Sequence, residues 1–212
     1  EGNEERHAAL TEQAAHFRPG ESGLLALDWN NGNRTILVDA RLSGLMVGTT
    51  LHTTRAEMYR ALIEATAFGA RKILDRLAEY GVPVQEVINC GGIAEKNPLF
   101  MQIYADVLGR RMVISGSAQT CALGSAIAAS VAAGREAGGY ETVQEAQEAI
   151  CSYKDVVYDP VPENRAVYEK LYRLYSELHD SFGLPDCRFD HYELMKQLLA
   201  ISRRVKQNKN TP

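Results

Sequence analysis

The chain has 212 residues, of which 45% are apolar and 24% charged, with a formal net charge of −4. That balance suits a globular protein of one large or two small domains and, without a basic stripe through its body, excludes a general electrostatic grip on nucleic acid. No run approaches the roughly eighteen consecutive apolar residues of a membrane helix, and no signal peptide is recognisable.

Residues 3–17, NEERHAALTEQAAHF, carry Ala9, Leu10, Ala14 and Phe17 at helical spacing, and Pro19-Gly20 stops that helix. Because the chain opens inside this pattern and without Met, it reads as part of something longer. GLLALDW (23–29) is a buried strand or a buried turn, followed by a polar loop with turn chemistry at Asn31-Gly32. The 36–50 segment is apolar in short pieces broken by Gly44 and Gly48.

The strongest helical signal starts at Thr54, where TRAE (54–57) is a capping box, and runs to about Tyr80 before Gly81-Val82-Pro83. Ala61, Ala65 and Gly69 share one face. Gly69 costs about 1 kcal/mol relative to alanine in mid-helix, so close approach to another backbone is the expected reason for it. Next come a strand at 86–90, a Gly91-Gly92 turn, a helix Pro98–Leu108, a strand at 111–115 and a helix Cys121–Ala133. This alternation predicts a parallel sheet in an α/β layer.

A short helix covers 142–150, and CSYKDVVYDP (151–160) leads out of the core. Pro162 opens an amphipathic helix with Val167, Leu171, Leu174 and Leu178 on its buried stripe. Tyr168, Tyr172 and Tyr175 on that helix suit a homodimer interface and core packing equally. LPDCRFD breaks it, and 190–205 form a last helix. Lys196, Arg203, Arg204, Lys206 and Lys209 have no acidic neighbour in this reading, and KQNKNTP is a solvated, frayed tail.

Four cysteines show no C-x-x-C pair and no histidine at metal spacing, which argues against zinc and against a disulfide scaffold. A reduced, cytoplasmic protein is expected.

The chemistry centres on Gly91-Gly92. A turn at the carboxyl end of a parallel strand is where open α/β sheets bind ligands, and glycine lets a ligand reach the backbone. A tight turn with nothing bound fits the same residues. Neither familiar phosphate-loop fingerprint is present. Asn97-Pro98 is a good helix start, and capping alone accounts for Asn97. Glu95 and Lys96 read as exposed loop charges. Gly124, one turn into its helix, suits close packing or a nearby phosphate equally. His52 reads as a surface histidine. Asp28 and Trp29, with Asn31, Gly32 and Arg34, would make a substrate-facing loop, which their spacing alone does not establish. No Ser-His-Asp set or paired carboxylates stand out.

GLMVGTTLHTTRAEMYRALIEATAFGAR (44–71), NCGGIAEKNPLFMQIYADVLGRR (89–111) and CALGSAIAASVAAG (121–134), in that order, resemble the C-terminal domain of the FGGY carbohydrate kinases over roughly residues 22–134. LALDWNNGNRT (25–35) and the helical tail after 160 narrow the resemblance to the ribulokinases within that family. The resemblance implies an actin-like, ribonuclease-H-like ATPase fold. Residues 1–158 would form the kinase domain's ATP-binding half, 159–205 a helical extension and 206–212 a disordered tail.

It further implies ATP, Mg²⁺ and transfer of the γ-phosphoryl group to a ketopentose, L-ribulose giving L-ribulose 5-phosphate. Another sugar or polyol kinase of the family, such as a xylulokinase, and a non-catalytic nucleotide-binding module are the alternatives. Carried over residue by residue, Gly91, Gly92 and Asn97 line the adenosine pocket, with Ile93 and Ala94 beside them. The family's general-base aspartate and phosphate loops are expected upstream of this chain. No catalytic residue and no metal ligand is therefore assigned within it, and on its own it would be inert.

Overall fold

A computed structural model describes residues 2–189 and 191–209. Helix α1 (Gly2–Ala15) leads into a small antiparallel pair, β1 (Leu25–Leu27) and β2 (Leu45–Val47), with Leu25 opposite Val47. The centre of the 23–29 run is thus a strand, and the broken 36–50 segment supplies its partner. Helix α2 (Arg55–Glu79) starts where its capping box predicts: Thr54 Oγ1 accepts from the Glu57 amide, and Glu57 Oε2 accepts from the Thr54 amide at 2.7 Å.

Beyond α2 the chain builds its main sheet. Strand β3 (Glu86–Asn89) is followed by the short α3 (Gly92–Lys96), α4 (Pro98–Leu108) and β4 (Arg111–Ser115), which pairs parallel to β3. Helices α5 (Thr120–Ala133) and α6 (Val143–Ile150) then lead to β5 (Tyr153–Tyr158), antiparallel to β4. The sheet order is β3-β4-β5, so the sheet is mixed rather than all-parallel. The 151–160 segment does not leave the core region but adds the antiparallel edge. The first four residues of β5, 153–156, are exposed, as suits a strand at the edge of the sheet.

Helix α7 (Pro162–Gly183) crosses the first layer, and α8 (Leu194–Lys209) closes it. The last helix passes the expected stop at 205, so residues 206–209 of the frayed-tail segment are helical; residues 210–212 and Asp190 lie outside the described residues. Lys196 is not without an acidic neighbour, since Glu193 lies 3.0 Å away. No described helix is long and apolar enough to cross a membrane.

Two apolar clusters hold these layers. The larger joins β1, α2, α4, α7 and α8 through Leu25, Leu27, Phe68, Ile103, Leu171 and Leu198. Each such side chain contributes about 1.5–3 kcal/mol on burial. Tyr168, Tyr172 and Tyr175 belong to this cluster, which decides between their two readings in favour of core packing. The smaller cluster seats α4 on the sheet through Met101, Ala105, Met112 and Ile114.

An ion pair lies inside. Arg60 Nε and Glu64 Oε1 are 2.8 Å apart, with side chains 6% and 3% exposed. Arg60 also donates to Ala14 O at 3.2 Å and to Tyr168 Oη at 3.0 Å, and Tyr168 donates to Glu64 at 2.9 Å. This network ties α1, α2 and α7 together.

Candidate functional site

A cavity of about 1280 Å³ opens in front of the residue 92–100 segment. Its walls come from α1 (His7, Thr11), α2 (Tyr59, Ile63), the α3–α4 junction and Tyr158 of β5. Sequence order explains the placement. β3 delivers the chain to Gly91, α3 turns it, and Asn97-Pro98 starts α4 in a new direction.

The two glycines differ in what they need. Gly91 sits at φ 89° and ψ 170°, a region that is essentially glycine-only. Gly92 opens α3 with ordinary helical geometry, so the expected Gly-Gly turn is a turn followed at once by a helix. A Cβ added at Gly92 would meet no protein atom within 4 Å. Neither backbone conformation nor packing therefore demands glycine at 92; the space it leaves belongs to the cavity.

Asn97 caps α4 as expected, its Oδ1 accepting from the Phe100 amide at 3.0 Å. Its amide nitrogen approaches Thr11 Oγ1 at 3.4 Å and Tyr59 Oη at 3.5 Å, long contacts that a better acceptor displaces readily. Thr11 spends its own proton on His7 O at 2.9 Å, so in the 3.2 Å Thr11–Tyr59 contact the tyrosine donates. The result is a polar floor of Thr11, Tyr59 and Asn97 in a cavity that His7, Glu12, Lys96 and Gln102 also line. Asn97→Ala should cost about 1 kcal/mol of stability through the lost cap. Chemical denaturation reads that loss, and a parallel nucleotide titration reads any loss of affinity beyond it.

Ile93 is largely exposed on the cavity rim, whereas Ala94 is packed in the smaller core cluster. Glu95 is not a free loop charge: it lies on α3, 3.1 Å from Lys154 of β5, and fixes α3 to the sheet edge. Thr11 and Tyr59 went unread in the sequence. They stand 48 residues apart on two helices, and no local pattern links them. Gly124 faces open space, and His52 is exposed. The Asp28-Trp29 loop lines a separate cavity.

A model of the FGGY family of carbohydrate kinases, C-terminal domain, matches residues 1–133. The chain belongs to this family. Among FGGY relatives, it is 56% identical over 195 residues to a ribulokinase of Halalkalibacterium halodurans, covering 92% of this chain and 34% of the relative. It is 55% identical to a ribulokinase of Geobacillus thermodenitrificans, covering 84% of this chain and 31% of that one. Among solved structures, a xylulose kinase from Rhodospirillum rubrum superposes with TM-score 0.71 at 29% identity, covering 85% of this chain and 35% of that chain.

The chain thus spans about a third of the length of the curated FGGY relatives it matches. The actin-like α/β fold expected from the sequence is the one it shares with these sugar kinases.

Proposed function

We propose that this chain is the nucleotide-binding part of an ATP-dependent sugar kinase whose substrate is L-ribulose, phosphorylated at its terminal hydroxyl. The open backbone at Gly92, facing the cavity beside the Asn97 amide, carries the nucleotide assignment. The identity to relatives named ribulokinase, together with the 25–35 run, favours the ketopentose.

In this reading the adenosine lies across Gly92 and Ile93, with Asn97 and the Thr11–Tyr59 pair offering hydrogen bonds to its polar edge. Bound ATP brings the transferable phosphoryl group. What these residues contribute is position, which together with charge stabilisation makes up most of phosphoryl-transfer catalysis. Mg²⁺ would travel with the phosphates. Among the described residues no group of three or more His, Cys, Asp or Glu could hold a metal, so no step is assigned to one here.

The test is ADP release by a protein containing this chain together with the remainder of a full-length kinase, offered L-ribulose, D-ribulose, D-xylulose and glycerol. Turnover led by L-ribulose is the expected result. A preference for xylulose or glycerol discards the ribulose assignment. ATP binding without turnover on any sugar points to a binding module.

A further inference from the structure

Gln102 lines the same cavity as Asn97, further along α4, and its side-chain amide is only half used. Nε2 donates to Asp106 Oδ1 at 2.9 Å and to the Asp159 carbonyl at 3.0 Å, which occupies both of its hydrogens. Oε1 takes no hydrogen bond from any described residue. It is not sealed in the protein as the unpaired atoms of Trp29, Tyr175 and His179 are, so a ligand in the cavity can reach it.

The amide cannot readily turn over. Asp106 is 2% exposed, and besides Gln102 it accepts from the Val161 amide and from Asn164 Nδ2, each at 2.8 Å. Reversing the Gln102 amide would set its oxygen against the Asp106 carboxylate and the Asp159 carbonyl, three acceptors with no proton among them. Asp106 in turn is fixed by the segment that opens α7. Gln102 therefore presents the cavity with a preorganised acceptor and no donor.

At the other end of the α4 wall the polarity is opposite. The Asn97 amide nitrogen is a donor held only by its two long contacts to Thr11 and Tyr59. A fixed acceptor suits an amino group. Purines differ at that point: adenine carries an exocyclic N–H donor where guanine carries an oxygen acceptor.

We infer that Gln102 sets the base preference of the nucleotide cavity, its Oε1 accepting from the exocyclic amine of adenine and rejecting a 6-oxo purine. The inference rests on the nucleotide reading of that cavity and concerns specificity, not the transfer step.

Calorimetric titration with ATP, inosine triphosphate and purine riboside triphosphate tests it. Inosine triphosphate places an oxygen where ATP has the amine, and purine riboside triphosphate leaves the position bare. The parent chain should bind ATP about tenfold more tightly than either, the scale of one hydrogen bond whose acceptor is left unpaired. Gln102→Met removes the acceptor. Gln102→Lys also removes it but can still donate to Asp106 and Asp159, which keeps the α4 anchor if the methionine variant fails to fold. In either variant the tenfold preference should disappear, whatever affinity the three nucleotides lose in common. A purely structural role would lower all three together and leave their ratio intact.

Equal affinities in the parent chain overturn the inference, as does a preference for ATP that survives in Gln102→Lys. Binding of all three nucleotides without preference removes only the role of Gln102 and leaves the nucleotide reading standing. If none of the three binds the parent chain, the nucleotide reading itself falls and this inference with it.

Discussion

Gly92→Val should reduce ATP affinity about tenfold or more while leaving the fold in place. A Cβ at this position meets no protein atom within 4 Å, so the branched side chain projects into ligand space without a clash. Forcing extra methyl groups into an occupied, well-packed site costs about 1–3 kcal/mol, and each 1.4 kcal/mol is tenfold in affinity. The substitution itself is mild for the helix, since valine is no worse than glycine in helical backbone. Calorimetric titration with ATP, beside a guanidinium denaturation curve, separates the two effects. Unchanged ATP affinity would remove Gly92 from the nucleotide site. Gly91 offers no such clean experiment, because any side chain at φ 89° strains the backbone whether or not a nucleotide is present.

Arg60→Met should be among the most destabilising single substitutions in the chain, by about 3–5 kcal/mol. It leaves the Glu64 carboxylate, 2% exposed as a residue, without its cation, and it removes the donor to the Ala14 carbonyl and to the Tyr168 hydroxyl, which keeps only its bond to Glu64. In a domain of this size the melting temperature falls by about 2–4 °C per kcal/mol.

The loss has a pH signature. Burial pushes the Glu64 carboxyl above its ordinary range, against the opposing pull of Arg60. A carboxyl raised on folding contributes stability fully present below its unfolded value and lost as pH rises through the folded one. Removing Arg60 raises the carboxyl further, so the deficit of the variant should widen from acidic to neutral pH. Thermal melts at pH 5 and pH 8 check this. A deficit independent of pH would mean that Glu64 regains solvent or a new partner. Pairing the change with Glu64→Leu should recover much of the loss, because a buried ion pair replaced by apolar side chains is often neutral.

How far these features could be read beforehand depended on whether their signals were local. The capping box at Thr54, the Asn97-Pro98 start and the stripe of α7 each rest on residues close together in sequence, and each falls where it was expected. The antiparallel β5 did not. Its partner, β4, lies some forty residues earlier, and only pairing distinguishes YKDVVY from an exit segment. α5 misleads in the opposite sense: TCALGSAIAASVAA is apolar all round, as a buried helix would be, yet only Ile127 on it is buried.

In the candidate site, Gly91 was legible because its backbone demand leaves a mark in residue type, and Gly92 because it stands next to it. The Thr11–Tyr59–Asn97 floor was not, since it exists only where three distant segments meet. The Asp28-Trp29 loop was noticed for its composition, but the packing of Trp29 against His179, ring centroids 5.2 Å apart, becomes visible only once α7 is laid beside β1.

α1 is held unevenly. Arg60 grips its carboxyl end through Ala14, and Tyr59 meets it at Thr11 and beside the His7 ring, while residues 5–9 are exposed. Such a helix frays from one end, and its amides should exchange with deuterium along a gradient, fast in the first two turns and slow near Ala14. A molecule spanning Thr11 and Asn97 would act as a stitch across that fraying edge, so the same gradient should flatten when the cavity is filled.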